Sequence, residues 1–207
     1  YWTHVYFESK YGVPAFQKRM AADRSAIVGS GPLTKLAIVD PRIQDLNQLL
    51  NVNSYQKGGW VLHMLRCKLG DDLFFKGLRA YYARYQFGNA LSEDLQAVME
   101  NTSGQDLKSF FQQWLYRPGF PELDVVWAWK KGKKEITLTI TQTQTSAAFE
   151  FPLEIAALDA DGKALGEWKV DMKTKSQKVT FSLAALPTKV VLDPQVKLLF
   201  QGKARQK

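Results

Sequence analysis

The apolar residues of this chain change period once, near Pro118, and that change limits the possible folds more than any other feature. Before it the spacing is helical: Leu73, Phe74, Leu78, Tyr81, Tyr82 and Tyr85 form one such series, and Leu107, Phe110, Phe111, Trp114 and Leu115 another. After Pro121 the pattern alternates, with Leu123, Val125 and Trp127 against Asp124, Val126 and Ala128, then Ile136, Leu138 and Ile140 against Thr137, Thr139 and Thr141. A chain of 207 residues is long enough to bury two cores. The pattern predicts an all-helical unit of five or six short helices over residues 1–118. A β-sandwich of immunoglobulin-like type, with six or seven strands, follows over residues 119–207.

Punctuation inside the helical half is legible. Tyr1 to Tyr11 read as the end of a helix stopped by Gly12, and Pro14 suits the first turn of the next. That second helix runs to about Ile27 and ends near Gly29-Ser30-Gly31-Pro32. From there to Asn53 the chain shows little periodicity, and a loop of that length in a compact unit is often functional. Ser54 is the expected N-cap of a helix reaching about Leu69, with Gly70 as its stop. Asp71 or Asp72 is the expected cap of the next helix, Gly88-Asn89 breaks it, and Ser92 to Gly104 brackets another. In the β half, Asp159-Ala160-Asp161-Gly162 reads as a turn.

Composition excludes several classes of function. No apolar run approaches the ~18–20 residues of a membrane-spanning helix. Cys67 is the single cysteine, so no intrachain disulfide forms. The formal charge of +8 does not imply nucleic acid, because the basic residues are dispersed. Lys130, Lys131, Lys133 and Lys134 flank Gly132 as a solvated hairpin turn would, and Lys203 to Lys207 read as a frayed terminus.

Among residues able to do chemistry, Tyr55 stands where a loop meets a helix. There its hydroxyl either faces a cleft as a hydrogen-bond donor or lies in water while the ring packs on the core. His4 and Glu8 stand four apart on a helix, as do His63 and Cys67, but neither pair has an evident third metal ligand. His63 lies among Trp60, Val61, Leu62, Met64 and Leu65, as a core histidine does, and Cys67 reads as a small buried hydrophobe. Trp127, Trp129 and Trp168 offer an alternative: an aromatic surface of a metal-free interaction or carbohydrate-binding module.

Tyr55-Gln56-Lys57-Gly58 resembles the Tyr-x-Lys-Gly signature of the aminopeptidase N family of zinc metallopeptidases. Leu62 to Arg66, Leu69-Gly70-Asp71, Phe74, Phe75, Leu78, Tyr81 and Tyr82 resemble its continuation. So do Gly88-Asn89-Ala90, Asp94-Leu95, Ser103-Gly104, Leu107, Phe110-Phe111, Gln113-Trp114-Leu115 and Pro118-Gly119-Phe120-Pro121. The resemblance implies the C-terminal helical lobe of a thermolysin-like catalytic domain, followed by the small β-sandwich.

It also implies that Tyr55 stabilises the oxyanion during removal of N-terminal residues from peptides with a free N-terminus. The opening Tyr1-Trp2 resembles the helix just after the family's Asn-Glu-Gly, whose glutamate is a zinc ligand. The family's H-E-x-x-H motif is absent from these residues. The resemblance therefore places the zinc ligands and general base upstream, with no zinc held by residues 1–207 and no activity in them alone. It also implies apolar surface that would drive self-association. Lys57, Gly58 and Gly59 are expected to be structural, the glycines admitting another segment close to the helix start.

Overall fold

A computed structural model describes residues 1–31 and 36–207, and its contacts divide them into two compact units, Tyr1–Gly119 and Phe120–Lys207. In the first unit, α1 (Trp2–Tyr11) ends at Gly12, whose φ of 83° suits glycine and whose N–H donates to the Glu8 carbonyl at 2.9 Å. Pro14 lies in the first turn of α2 (Val13–Gly29), while Pro32 lies outside the described residues. A short 3-10 turn (Leu46–Leu49) and a π-turn (Asn53–Lys57) lead into α3 (Gly58–Leu69). Gly70, at φ 80°, separates α3 from α4 (Asp71–Tyr85). After α4 come α5 (Ser92–Ser103), closed by Gly104 in the left-handed region, and α6 (Lys108–Phe111), which runs into a second π-turn (Gln112–Tyr116).

Two caps differ from expectation. Ser54 is not the N-cap. Asn51 caps instead, its Oδ1 accepting from the backbone N–H groups of Asn53 at 2.8 Å and Ser54 at 3.1 Å. Helical structure thus starts before Ser54, leaving that hydroxyl inside it. Asp71 makes no capping bond either, because Arg66 holds its carboxylate at 2.7 and 2.8 Å. Arg66 also donates to Glu8 at 2.6 Å, so one guanidinium ties α1, α3 and the start of α4 together. On α1, by contrast, no residue is fully buried, and Trp2 and Tyr6, four apart, are 58% and 57% exposed.

The core of this unit gathers around Trp60, Phe74, Met20, Met99, Leu107 and Phe111, all buried. Trp60 Nε1–H donates to the Met20 carbonyl at 3.1 Å, which fixes α3 against α2 and satisfies the indole's one donor. The α4–α5 contact is close because Gly77 has no side chain: a Cβ there would lie 2.4 Å from Met99 Sδ.

The second unit contains a four-stranded sheet, ordered β5-β2-β1-β7, and a three-stranded sheet, β4-β3-β6. The strands are β1 (Glu122–Lys130), β2 (Glu135–Gln142), β3 (Phe151–Leu158), β4 (Ala164–Met172), β5 (Ser176–Ser182), β6 (Lys189–Leu192) and β7 (Gln201–Gln206). Alternation in β1 and β2 buries Val125, Trp127, Ile136, Leu138 and Ile140, with Trp127 opposite Leu138. Trp168 of β4 stacks on Phe181 of β5, ring centroids 4.7 Å apart, joining the two edge strands across the sheets. The turn after β3 forms as read, Asp159 Oδ1 accepting from the N–H groups of Asp161 and Lys163.

The basic tail is not frayed. Lys203 to Gln206 belong to β7, which runs parallel to β1, and Arg205 pairs with Asp124 at 3.0 Å. Pairing at this edge satisfies the outer backbone groups of β1. Gly202 makes the approach possible, since a Cβ there would lie 2.3 Å from the Leu123 carbonyl oxygen.

Candidate active site

The π-turn at Asn53–Lys57 is the distinctive local element of the helical unit. Its i→i+5 closure is rare, and such turns occur frequently at functional sites. The loop before it builds the entry: Asp45 Oδ1 accepts from Asn47 N–H at 2.9 Å, and Asn51 Nδ2 donates to the Gln48 carbonyl. Tyr55 N–H then donates to the Asn51 carbonyl at 3.1 Å. The backbone beneath the phenol is therefore held from both sides of Asn51.

Within the turn the two faces are sharply unequal. Residues four apart nearly share a face in so wide a helix, and the residue midway points away. Asn53 and Lys57 are 4% and 1% exposed, whereas Tyr55 is 62% exposed. The Tyr55 hydroxyl has no hydrogen-bond partner among the described residues. This phenol faces solvent on a turn anchored by its buried neighbours.

Asn53 Nδ2 donates to the carbonyls of Leu36 at 3.2 Å and Ala37 at 2.8 Å, pinning the long loop to the turn. Its Oδ1, however, has no partner among the described residues, and neither has Lys57 Nζ. Burial lowers the Lys57 ammonium from 10.5 to about 8. Between those values the unfolded chain keeps a proton that the folded chain has released, so raising the pH through this window favours the folded state. Below about 8 both states are protonated and the whole cost of burying the charge is present, whereas above 10.5 neither carries it. In the 207-residue chain, Lys57→Met should therefore be more stable than the parent at pH 7 by about 3 kcal/mol, an advantage that disappears by pH 10.5. Urea titrations of both proteins across this range test it, and a pH-independent difference would contradict it.

Gly58 and Gly59 differ in what they face. A Cβ at Gly59 would contact Tyr1 at an ordinary 3.8 Å, and one at Gly58 would meet nothing within 4 Å. Tyr1 at the start of α1 thus comes within ordinary contact distance of Gly59, an approach that a Cβ would also tolerate, whereas no described segment approaches Gly58. Gly58 faces open space at the start of α3 among the described residues.

The paired metal-ligand candidates separate. His4 Nε2 lies 2.8 Å from Asp23 Oδ2, while Glu8 is committed to Arg66. His63 and Cys67 do meet, Sγ to Nε2 at 3.8 Å, and His63 Nδ1 lies 3.3 Å from the Tyr1 hydroxyl. Burial pushes the Tyr1 phenol up to about 12, so it stays protonated beside Nδ1. Both ring nitrogens of His63 thus have partners within the fold, as the core-histidine reading expects. Cys67 itself is exposed rather than buried. No group of three His, Cys, Asp or Glu side chains suited to a metal occurs among the described residues, so these residues do not fit a zinc site.

The three tryptophans do not form one platform. Trp127 is 3% exposed, Trp129 Nε1–H donates to the Leu183 carbonyl at 3.0 Å, and Trp168 is stacked on Phe181. Sequence reasoning did not flag Asn53 or Lys57 as buried polar groups. The signal was present, since positions 53, 57, 60, 61 and 64 share one helical face whose other members are Trp60, Val61 and Met64.

Comparison with known proteins shows what this chain is similar to. A model described as the peptidase family M1 domain matches residues 4–114, which include the π-turn. Aminopeptidase N of Lactococcus lactis subsp. lactis is 36% identical over 116 residues, covering 56% of this chain and 13% of that protein. The alanine/arginine aminopeptidase of Saccharomyces cerevisiae is 38% identical over 93 residues, covering 45% and 10%. Tricorn protease-interacting factor F2 of Thermoplasma acidophilum is 33% identical over 97 residues, covering 47% and 12%. The chain thus spans roughly a tenth of the length of these curated relatives. In fold, it resembles Legionella pneumophila aminopeptidase A, solved in complex with aspartic acid, with a TM-score of 0.75 at 18% identity. That likeness covers 99% of this chain and 23% of the other.

Proposed function

The chain belongs to peptidase family M1, and from that membership we propose that it carries the oxyanion-stabilising tyrosine of a zinc-dependent aminopeptidase. The substrates are peptides with a free N-terminus. Residues 1–119 are the C-terminal helical part of the catalytic domain. Residues 120–207 are an immunoglobulin-like sandwich, in which the last strand pairs parallel to the first. The zinc ligands and general base of the intact enzyme lie outside residues 1–207.

The observation that carries this reading is the placement of Tyr55. It stands in the matched segment, exposed, with no hydrogen-bond partner among the described residues, on a turn whose backbone Asn51 and Asn53 hold fixed. A hydroxyl so placed donates its proton in a hydrogen bond to the acyl oxygen of a bound peptide. The bond strengthens as negative charge collects on that oxygen, so it favours the transition state over the bound substrate. A donor fixed before the substrate arrives spends little energy on reorientation during the reaction.

The 207-residue chain alone should hydrolyse no aminoacyl-p-nitroanilide and retain no stoichiometric zinc after dialysis, because it supplies the donor without the metal's ligands. Turnover by a zinc-loaded preparation of these residues would overturn the assignment of ligands. The exposed Trp2 and Tyr6 on α1 support the expected self-association, which sedimentation velocity of the same sample reads directly.

A further inference from the structure

Among the described residues, two buried side-chain polar atoms without a partner, Asn53 Oδ1 and Lys57 Nζ, are on the inner face of the same π-turn, beneath Tyr55. An unpaired buried ammonium is among the costliest groups a fold can hold, and such groups normally have a counter-charge. Among the described residues, the elements packed against this turn do not supply one. On α2 the only carboxylate is Asp23, which is committed to His4 at 2.8 Å. The other charges of α2 are the cations Lys18, Arg19 and Arg24, and α3 adds only His63, Cys67, Arg66 and Lys68. In the loop that Asn53 grips, Asp40 is held by Arg42 at 2.6 Å, and Asp45 caps the 3-10 turn.

We propose that Lys57 is a positioning residue for Tyr55, its ammonium taking a side-chain carboxylate from beyond these 207 residues and so locking the π-turn that presents the phenol. The proposal rests on the oxyanion role given to Tyr55. It deepens that reading by naming a second residue of the turn and the chemistry of its partner. An ammonium has three N–H donors, enough to serve both oxygens of a carboxylate and Asn53 Oδ1 together. A single contact would then satisfy both orphaned groups. The relatives are some tenfold longer than the matched segments, so they contain ample sequence from which such a carboxylate can come. The lowered ammonium in the chain by itself is what an absent counter-charge produces.

Two measurements on the intact peptidase test this. The first is a double-mutant cycle in kcat and KM. Lys57→Met should lower kcat about 10-fold with KM within about 2-fold, and should cost nothing further when Tyr55→Phe is already present. A loss that multiplies fully in both backgrounds makes Lys57 merely structural and overturns the proposal. The second needs no substitution at position 57: NMR titration of the Lys57 ammonium in the intact protein and in the 207-residue chain. A midpoint above 10 in the intact protein and near 8 in the chain alone supports the carboxylate, and the same midpoint near 8 in both overturns it. An intact enzyme indifferent to Tyr55→Phe would instead remove the oxyanion role, and the titration would still decide whether Lys57 has an anionic partner.

Discussion

Tyr55→Phe should lower kcat of the intact peptidase about 100-fold or more while leaving KM within about 2-fold. The substitution removes one oxygen and nothing else. That hydroxyl has no partner among the described residues, and the ring is 62% exposed, so the fold does not depend on it. Stability should stay within about 0.5 kcal/mol of the parent, as for surface changes generally. A 100-fold loss corresponds to about 2.7 kcal/mol of transition-state stabilisation, within the range for a single preorganised donor. KM barely moves because the acyl oxygen of the bound substrate is a weaker acceptor than the oxyanion it becomes. Steady-state kinetics with an aminoacyl-p-nitroanilide settle the point. Activity within a factor of three of the parent would exclude Tyr55 from the chemistry.

The largest structural effect is expected at Trp60. Trp60→Ala should destabilise the helical unit by about 4 kcal/mol, lowering its Tm by roughly 10–20 °C. The side chain is wholly buried, donates to the Met20 carbonyl and touches the edge of His63, with ring centroids 5.5 Å apart. Truncation opens a cavity between α2 and α3 directly below the π-turn. Trp60→Phe keeps most of the buried volume and loses the hydrogen bond, so about 1–2 kcal/mol is expected. Thermal unfolding followed by circular dichroism separates the two substitutions. A loss below 1 kcal/mol for Trp60→Ala would show that α2 and α3 are held chiefly by other contacts, such as the edge contact of Phe16 with His63.

These expectations draw unequally on sequence and structure. The change of period at Pro118 was legible because burial imposes it: a helix hides every third or fourth residue and a strand every second. Gly12, Gly70 and Gly104 stop helices where expected, since each adopts a positive φ that a side chain would strain. The π-turn was not legible. Its apolar spacing is close to that of an ordinary helix, and the extra residue leaves no distinctive pattern. For the same reason the start of helical structure was placed at Ser54, although Asn51, an equally good capping residue, had already begun it.

Strand β7 was missed for a different reason. Gln201–Gln206 form an edge strand exposed on both faces, so there is no alternation to read, and the lysine and arginine resemble a solvated tail. The site was half legible. Tyr55 stood out through the Tyr-x-Lys-Gly resemblance. Lys57 belongs to the same signature, but its charge argued for the surface, while its position on the face of Trp60 and Met64 argued for the interior. The interior won.

The parallel pairing of β7 with β1 also bears on the order of events during synthesis. Glu122 to Trp127 leave the ribosome nearly eighty residues before the segment that pairs with their outer edge. Until residues 201–206 emerge, that edge presents bare amide and carbonyl groups to whatever nascent chain or chaperone is nearby. A ribosome that stalls or terminates inside this interval would release a sheet with an adhesive border, and Gly202 is the point at which that border closes.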